Sequence, residues 1–67
     1  MDSQLLKSKI VAYNDTQAHL ASVLGISLSN LNDKINGKKS FRQNEIKAIK
    51  AAYNLTAEEV DLIFFNH

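Results

Sequence analysis

Apolar residues recur along the chain with the spacing of helices, and short polar stretches separate them. Leu6, Ile10 and Tyr13 stand at i, i+4 and i+7, which predicts a first amphipathic helix over residues 3–13 with these side chains inward. No segment alternates apolar and polar residues for long enough to predict a strand. The pattern therefore indicates an all-α fold.

Residues that favour helix caps divide the next part of the chain into two predicted helices. Thr16 is a suitable N-cap for a second helix over 17–24, and Gly25 predicts its end because glycine accepts a left-handed backbone. Ser27 is the corresponding N-cap for a third helix over 28–36. The residues expected to face inward from the second helix are Leu20, Ala21 and Leu24.

The rest of the chain predicts two more helices. Ser40 and Gln43 have capping-box spacing and predict the start of a fourth helix at 41 or 42, which runs to 53. Thr56 and Glu59 have the same spacing and predict the start of a last helix. The expected architecture is a single compact domain of about five short helices over residues 1–67. The residues expected to face inward from the last two helices are Ile46, Ile49, Tyr53, Val60, Ile63 and Phe64.

The composition disfavours several classes of protein. No apolar run approaches the roughly 18 residues of a membrane-spanning helix, and residues 1–10 lack the charged start and long apolar middle of a signal peptide. With no cysteine, the chain has neither a disulfide framework nor a thiolate metal site. We therefore expect a soluble cytoplasmic protein with no cofactor, no membrane contact and no small-molecule substrate.

The segment over 16–37 has the positions that a helix-turn-helix requires. Two helices that cross through a tight turn need a small residue where their backbones approach, and Ala21 supplies it. Gly25 suits the positive φ of the turn, and Leu31 returns an apolar side chain from the third helix to the second. An ordinary helical hairpin uses the same residue types, but the combined offsets and the caps at both helix starts favour a helix-turn-helix at helices two and three.

The same segment resembles a known family of DNA-binding proteins. Residues 16–38 contain TQAHLASVLGIS followed by NGK and are similar to the repressor and Cro-type helix-turn-helix (XRE-like) proteins of temperate phages. The second half, KINGKKSFRQNEIKAIKAAYNLTAEEVDLIFF, resembles a Gram-positive phage subgroup, in particular the modulator-of-repression, or Cro-like antirepressor, proteins of lactococcal temperate phages. The resemblance covers nearly the whole chain and implies a lambda-repressor-like fold.

The resemblance also implies roles for individual residues in binding DNA. Gln17 matches a glutamine that hydrogen-bonds a phosphate and steadies the recognition helix. The positions that face base edges correspond to Leu28, Ser29, Asn32 and Asp33. The positions that contact the DNA backbone correspond to Asn36, Lys38, Lys39 and Arg42.

General chemistry agrees with several of these roles. Gln17 and Ser29 can donate hydrogen bonds to phosphate oxygens, and helix N-termini attract phosphate. Asn32 can bond adenine through two hydrogen bonds, and Leu28 can pack on a thymine methyl group. The local basic cluster in this region consists of Lys38, Lys39 and Arg42.

Other features favour a protein partner. The formal net charge is only +1, whereas nucleic-acid binders usually carry a clear basic excess. Asp33 can accept from cytosine N4 but also repels phosphates. Lys34 occupies a position that the family often fills with an apolar residue, and Ile35 is expected to take over that packing. Phe64 and Phe65 point about 100° apart on a helix, so one should complete the core while the other contacts a partner or widens the buried face.

The remaining candidate residues have ordinary explanations. His19 is expected to face solvent, without a catalytic role. Glu58, Glu59 and Asp61 lie near the start of a helix, where acidic side chains suit the positive end of the helix dipole. The lysines expected on solvated helix faces are Lys7, Lys9, Lys47 and Lys50.

Two functional hypotheses remain open, and both can hold for one protein. The first is a phage transcriptional regulator of a lysis–lysogeny switch that binds double-stranded operator DNA as a dimer through the helix-turn-helix. The second is an antirepressor that acts mainly by binding the partner phage repressor and altering its DNA binding. An enzyme is disfavoured, because the sequence lacks a histidine pair at ligand spacing, a Gly-rich phosphate loop and a Ser/His/Asp set.

Overall fold

The computed structural model describes residues 2–65, which form a single small domain built from helices. The α-helices are α1 (Ser3–Ala12), α2 (Gln17–Leu24), α3 (Leu28–Ile35), α4 (Gln43–Ala52) and α5 (Ala57–Val60), and α5 continues into a π-helical turn, Asp61–Phe65. No strand occurs among the described residues, so the prediction of an all-α fold is confirmed. None of the helices within 2–65 is long and apolar enough to span a membrane.

Side-chain oxygens cap the start of four helices. The capping residues are Asp2, Thr16, Ser27 and Thr56, whose side chains accept hydrogen bonds from backbone N–H groups in the first turn. At α5 the cap is reciprocal, because Glu59 Oε1 accepts a hydrogen bond from the Thr56 N–H at 2.9 Å. The predicted caps at Thr16, Ser27 and Thr56 are therefore confirmed.

A residue with positive φ follows each of the first four helices within two positions of its end. After α2, the Gly25 N–H donates to the Ser22 carbonyl and the Ile26 N–H donates to the Ala21 carbonyl, the two bonds of a Schellman motif. Gly25 has a φ of +72°, which glycine adopts without strain, and the predicted end of the second helix is confirmed. The residues in this position after α1 to α4 are Asn14, Gly25, Gly37 and Asn54.

The predicted first and third helices are each one residue too long. α1 ends at Ala12, because Asn14 adopts a φ of +54° and leaves the helical region. Tyr13 is consequently 49% exposed instead of buried, although its ring meets that of Tyr53 edge-on at 5.4 Å. α3 ends at Ile35.

The predicted start of the fourth helix is wrong. α4 begins at Gln43 with Arg42 as its N-cap, so Ser40 does not cap it. Glu45 Oε1 accepts a hydrogen bond from the Arg42 N–H at 2.8 Å and stabilises the first turn. The same carboxylate is bound by the ammonium of Lys34 on α3, and this long-range contact favours the register that begins at Gln43.

The helices enclose an apolar centre to which α1 to α4 and the π-helical turn contribute. Leu31, Ile49 and Ile63 are fully buried in it, as their predicted inward positions require. Other predicted inward residues, such as Ile46 and Val60, lie half-buried at its edge. The buried apolar residues are Leu6, Ile10, Leu20, Ala21, Leu31, Ile35, Ile49, Tyr53, Leu55 and Ile63.

A polar link joins the turn between α1 and α2 to the end of α4. The Tyr53 hydroxyl donates to Asp15 Oδ2 at 2.7 Å, and Asp15 Oδ1 accepts from the Thr16 N–H at 2.7 Å. The bond from Tyr53 is the main reason that the pKa of Asp15 lies below its ordinary 3.8. His19 is exposed, as predicted, and its Nδ1 lies 2.8 Å from the same carboxylate.

Tyr53→Phe removes this hydroxyl and should raise the pKa of Asp15 toward 3.8, as read from its carboxyl carbon by NMR. Because the folded-state pKa is depressed, the link stabilises the protein above the unfolded-state pKa and is lost as pH falls through the folded-state value. The difference in urea midpoint between wild type and variant should therefore shrink in acid. Tyr13→Phe removes the hydroxyl of a tyrosine that is 49% exposed and serves as the matched control. Equal pKa values for Asp15 in wild type and Tyr53→Phe would contradict the link.

Candidate functional site

α3 has one buried face and one exposed polar face. Leu31 and Ile35 enter the core, which orients the helix and turns the opposite side toward solvent. At 100° per residue, positions 29, 32, 33 and 36 lie within an arc of about 100° on that opposite side. The outward-facing residues are Ser29, Asn32 and Asn36, which are exposed, and Asp33, which is half-buried.

Leu28 lies at the edge of this polar face and begins α3. Its side chain is 44% exposed, which leaves apolar surface available beside Ser29 and Asn32. The four residues that the resemblance assigned to base edges are therefore all accessible, on one short helix, and close to one another in sequence. The face combines hydroxyl, amide, carboxylate and apolar groups.

The loop after α3 is folded back against the end of that helix. The Asp33 carbonyl accepts hydrogen bonds from the Lys38 N–H at 2.8 Å and from the Lys39 N–H at 3.3 Å. The Gly37 N–H donates to the Lys34 carbonyl at 3.2 Å and completes the turn. These bonds fix the two exposed lysines immediately beside the polar face of α3.

The side chain of Lys39 reaches back over α3. Its Nζ lies 3.4 Å from Asn30 Oδ1 and 3.6 Å from Asp33 Oδ2. This ammonium partly neutralises the carboxylate that the sequence placed on the proposed base-reading face. Asn30 was not among the predicted site residues, and its amide helps to hold Lys39 in this position.

Two other predicted residues stand on neighbouring elements. Gln17 is half-buried at the first position of α2, and Arg42 is exposed at the N-cap of α4. The Arg42 N–H donates to the carboxylate of Glu45 on α4, which also accepts from Lys34 on α3. Among the described residues, no hydrogen bond or ion pair joins the Gln17 side chain to α3. The outward residues of α3 therefore lie beside the loop over residues 36–42, called the basic loop below, whereas Gln17 lies on α2.

A buried ion pair connects α3 to α4 beneath this surface. Lys34 Nζ donates to Glu45 Oε1 at 2.6 Å, and the two side chains are only 6% and 5% exposed. Burial raises the pKa of Glu45, but the hydrogen bonds from Lys34 and the Arg42 N–H outweigh it, and the pKa lies below its usual 4.5. Ile35 is buried as predicted, but Lys34 is also buried, and its side chain is paired with Glu45.

An apolar groove lies between the basic loop and the end of the chain that the structure describes. Phe64 is half-buried against Phe41, with ring centroids 5.1 Å apart, whereas Phe65 is 55% exposed. This confirms that one of the two adjacent phenylalanines packs against the core while the other stays accessible. The groove has a volume of about 390 Å³ and is lined by Gly37, Lys39, Ser40, Phe41, Ile46, Phe64 and Phe65.

Acidic residues and lysines elsewhere have mainly structural roles. Glu59 closes the capping box of α5 and also pairs with Lys9, which was expected only on a solvated face. Lys47 and Lys50 are exposed on α4, as predicted. Within residues 2–65, no three acidic or histidine side chains are grouped so that they could hold a metal ion.

Among known proteins, no curated sequence and no solved structure matches the chain. A family model described as "Protein of unknown function (DUF739)" matches residues 1–67. Because this match spans the whole sequence that carries the polar face of α3, the basic loop and the groove, the chain belongs to the DUF739 family.

Proposed function

We propose that the protein is a DNA-binding transcriptional regulator in which α2, the turn at Gly25 and α3 act as a helix-turn-helix. The observation that carries this proposal is the exposed polar face of α3, which continues directly into the basic loop with Lys38 and Lys39. An α-helix fits the major groove of B-DNA, which is about 12 Å wide, and amide side chains there read base edges. Burial of Leu31 orients this face outward.

The local charge supports phosphate binding despite the net charge of the chain. Residues 36–42 contain three basic and no acidic side chains. Such clusters neutralise phosphates and release counterions, which supplies affinity that does not depend on sequence. The pairing of Lys39 with Asp33 reduces the repulsion expected from that carboxylate.

In this proposal each element has its own role. Asn32 and Leu28 read bases, Ser29 contacts a phosphate or a base, and Asp33 accepts from cytosine. Gln17 donates to a phosphate near the start of α2. The residues that hold the DNA backbone after α3 are Asn36, Lys38, Lys39 and Arg42.

The resemblance to phage repressor and Cro-type proteins adds a cellular location and a biological process to the proposal. The protein would act in the cytoplasm of a host bacterium, in the switch between lysis and lysogeny, by binding and not by catalysis. Two copies on a pseudo-palindromic operator would place their α3 helices about 34–36 Å apart, one turn of the duplex.

Variants separate base reading from phosphate binding. Lys38→Ala and Gln17→Ala should weaken binding to every duplex, and Lys38→Ala should lower the slope of log K against log salt by about 0.9. Asn32→Ala should instead relax the preference at one base pair, by about 1–3 kcal/mol. Selection from random-sequence duplexes, followed by gel shifts in a salt series, measures both effects.

Lys50→Ala is the control for these variants. Lys50 is an exposed lysine in the last turn of α4, and it lies about 12 Å along the helix axis from Arg42. Its removal should leave the selected sequence and the affinity nearly unchanged. Binding that is blind to sequence in the wild type would refute base reading by α3, and equal losses in Lys50→Ala and Lys38→Ala would refute phosphate binding by the loop after it.

A second candidate function is that of an antirepressor which binds the partner phage repressor. The exposure of Phe65 beside the groove favours this alternative, because accessible aromatic residues near an apolar groove are typical of protein interfaces. Pull-down of the purified repressor by the wild type and by Phe65→Ala tests it. No complex at micromolar concentration would eliminate this candidate.

A further inference from the structure

The groove between the basic loop and the π-helical turn combines two chemistries. Its floor is apolar and aromatic, with Phe41 and Phe64 packed edge-on and Ile46 beside them. Phe65 stands at its edge with more than half of its surface accessible. A preformed cavity of about 390 Å³ is large enough for an aromatic or branched aliphatic side chain.

The rim of the groove is formed by the basic loop. Lys39 lines the groove and also pairs with Asp33 Oδ2 at 3.6 Å, and Lys38 and Arg42 are exposed on the same loop. No acidic side chain is among the residues that line it within the described part of the chain. A ligand that fits both the floor and the rim therefore needs an apolar anchor flanked by carboxylates.

We propose that this groove binds an acidic peptide segment with an aromatic or aliphatic anchor, supplied by a regulatory protein, and that its occupation displaces DNA. The anchor packs between Phe41, Phe64 and Phe65, and the carboxylates pair with the lysines of the loop. The displacement of DNA rests on the proposed DNA-binding function, because it requires that the same lysines bind both the peptide and the phosphates.

The sharing of one loop explains why the two ligands exclude each other. The backbone N–H groups of Lys38 and Lys39 both bond the Asp33 carbonyl, which holds the two lysines on one short segment beside α3 and the groove. A bound acidic segment occupies the same charges and adds its own negative charge beside α3. The partner that this groove fits is therefore acidic.

The test is selection of peptides from a random display library on the wild-type protein, followed by synthesis of the consensus peptide. We expect a consensus with an aromatic or large aliphatic residue and at least one neighbouring Asp or Glu. Phe65→Ala should weaken binding of that peptide about tenfold or more, since a central aromatic contact is lost. Lys39→Glu should weaken it by a similar factor because the rim then repels the carboxylates.

Lys50→Glu introduces the same charge change on an exposed lysine outside the groove, and peptide affinity should stay within about twofold of wild type. Phe65 and Lys39 are exposed, so their variants should remain folded, and circular dichroism checks this. Absence of enrichment, a consensus without acidic residues, or undiminished binding to Phe65→Ala would overturn the proposal. Self-association of the protein through the groove in place of peptide binding would also overturn it.

Competition separates this inference from the proposed function. The consensus peptide should displace a labelled duplex from the wild type and fail to displace it from Phe65→Ala. Peptide binding without any DNA binding would leave the groove assignment standing and refute the DNA-binding function together with displacement. DNA binding that a saturating peptide leaves intact would refute displacement alone.

Discussion

Lys34→Met is expected to lower the free energy of unfolding by about 3–5 kcal/mol, because it leaves the carboxylate of Glu45 buried without its counter-ion. A chain of this length has a total stability of roughly 3–10 kcal/mol, so this loss is a large share of the total. The loss of stability is this large because the Lys34 and Glu45 side chains are almost inaccessible to solvent, so water cannot replace the missing ammonium. Urea unfolding followed by circular dichroism measures the change.

The pH dependence of this loss has a definite sign. In the wild type the pKa of Glu45 is depressed, so the pair stabilises the protein above the ordinary value of 4.5 and is lost as pH falls through the folded-state value. In Lys34→Met the burial of Glu45 is opposed only by the N–H and the charge of Arg42, so its pKa should rise relative to the wild type and favour the protonated form. The stability difference between wild type and variant should therefore shrink in acid.

A double variant keeps this prediction testable if the single variant does not fold. Lys34→Met/Glu45→Gln removes both charges, and the glutamine oxygen can still accept from the Arg42 N–H. It should recover most of the lost stability, because replacing a buried pair by neutral groups is often nearly neutral. Lys50→Met, on the exposed face of α4, should change stability by less than about 0.5 kcal/mol. A Lys34→Met protein as stable as wild type would show that the pair is not formed in solution.

Leu31→Ala is expected to cost about 2–5 kcal/mol, the range for truncation of a fully buried leucine. Leu31 has no exposed surface and anchors α3 against the rest of the core, so the cavity left behind also loosens the helix that presents the polar face. Thermal or urea unfolding measures the stability. Binding of DNA should fall in parallel with the folded fraction.

Leu28→Ala on the same helix is the matched control, because it removes the same atoms from a position that is 44% exposed. Its effect on stability should lie within about 0.5 kcal/mol. If the proposed role of Leu28 against a thymine methyl group is correct, the preference at one base pair should nevertheless weaken. Similar destabilisation by the two variants would mean that α3 is not oriented as described.

The part of the fold that could be predicted is the part governed by local chemistry. Thr16 and Ser27 cap helices because their short side chains reach the N–H groups of the first turn, and that geometry involves only neighbouring residues. Gly25 ends α2 for an equally local reason. The spacing of Leu31 then places α3 against the core. These signals predict α2, the turn and α3 with little error.

The start of α4 shows where local reasoning fails. Two capping-box spacings overlap there, and side-chain preference favours Ser40 over Arg42. The register is decided instead by Glu45, which meets Lys34 eleven residues earlier in the chain. No local pattern reports such a contact, although Lys34 lies only about 60° from Leu31 on a helical wheel, which already indicates its inner face.

The candidate site was predictable in its residues but not in its electrostatics. Asn32 and Lys38 could be assigned to an outward face from helical periodicity and the position of the loop. That Lys39 folds back onto Asn30 and Asp33 depends on hydrogen bonds of the loop to the Asp33 carbonyl, which periodicity does not describe. The π-helical turn that leaves Phe65 exposed likewise follows from packing and has no signature in the sequence.

The most direct measurement of the central claim is an NMR titration of isotope-labelled protein with a mixed-sequence DNA duplex at low salt. The claim is that the outer side of α3 and the adjoining loop form the DNA-binding surface. It predicts that the largest amide shift changes fall within 28–33 and 36–42, and that they diminish as salt is added. Changes confined to α1 and α5, or no changes at a saturating concentration of duplex, would contradict it.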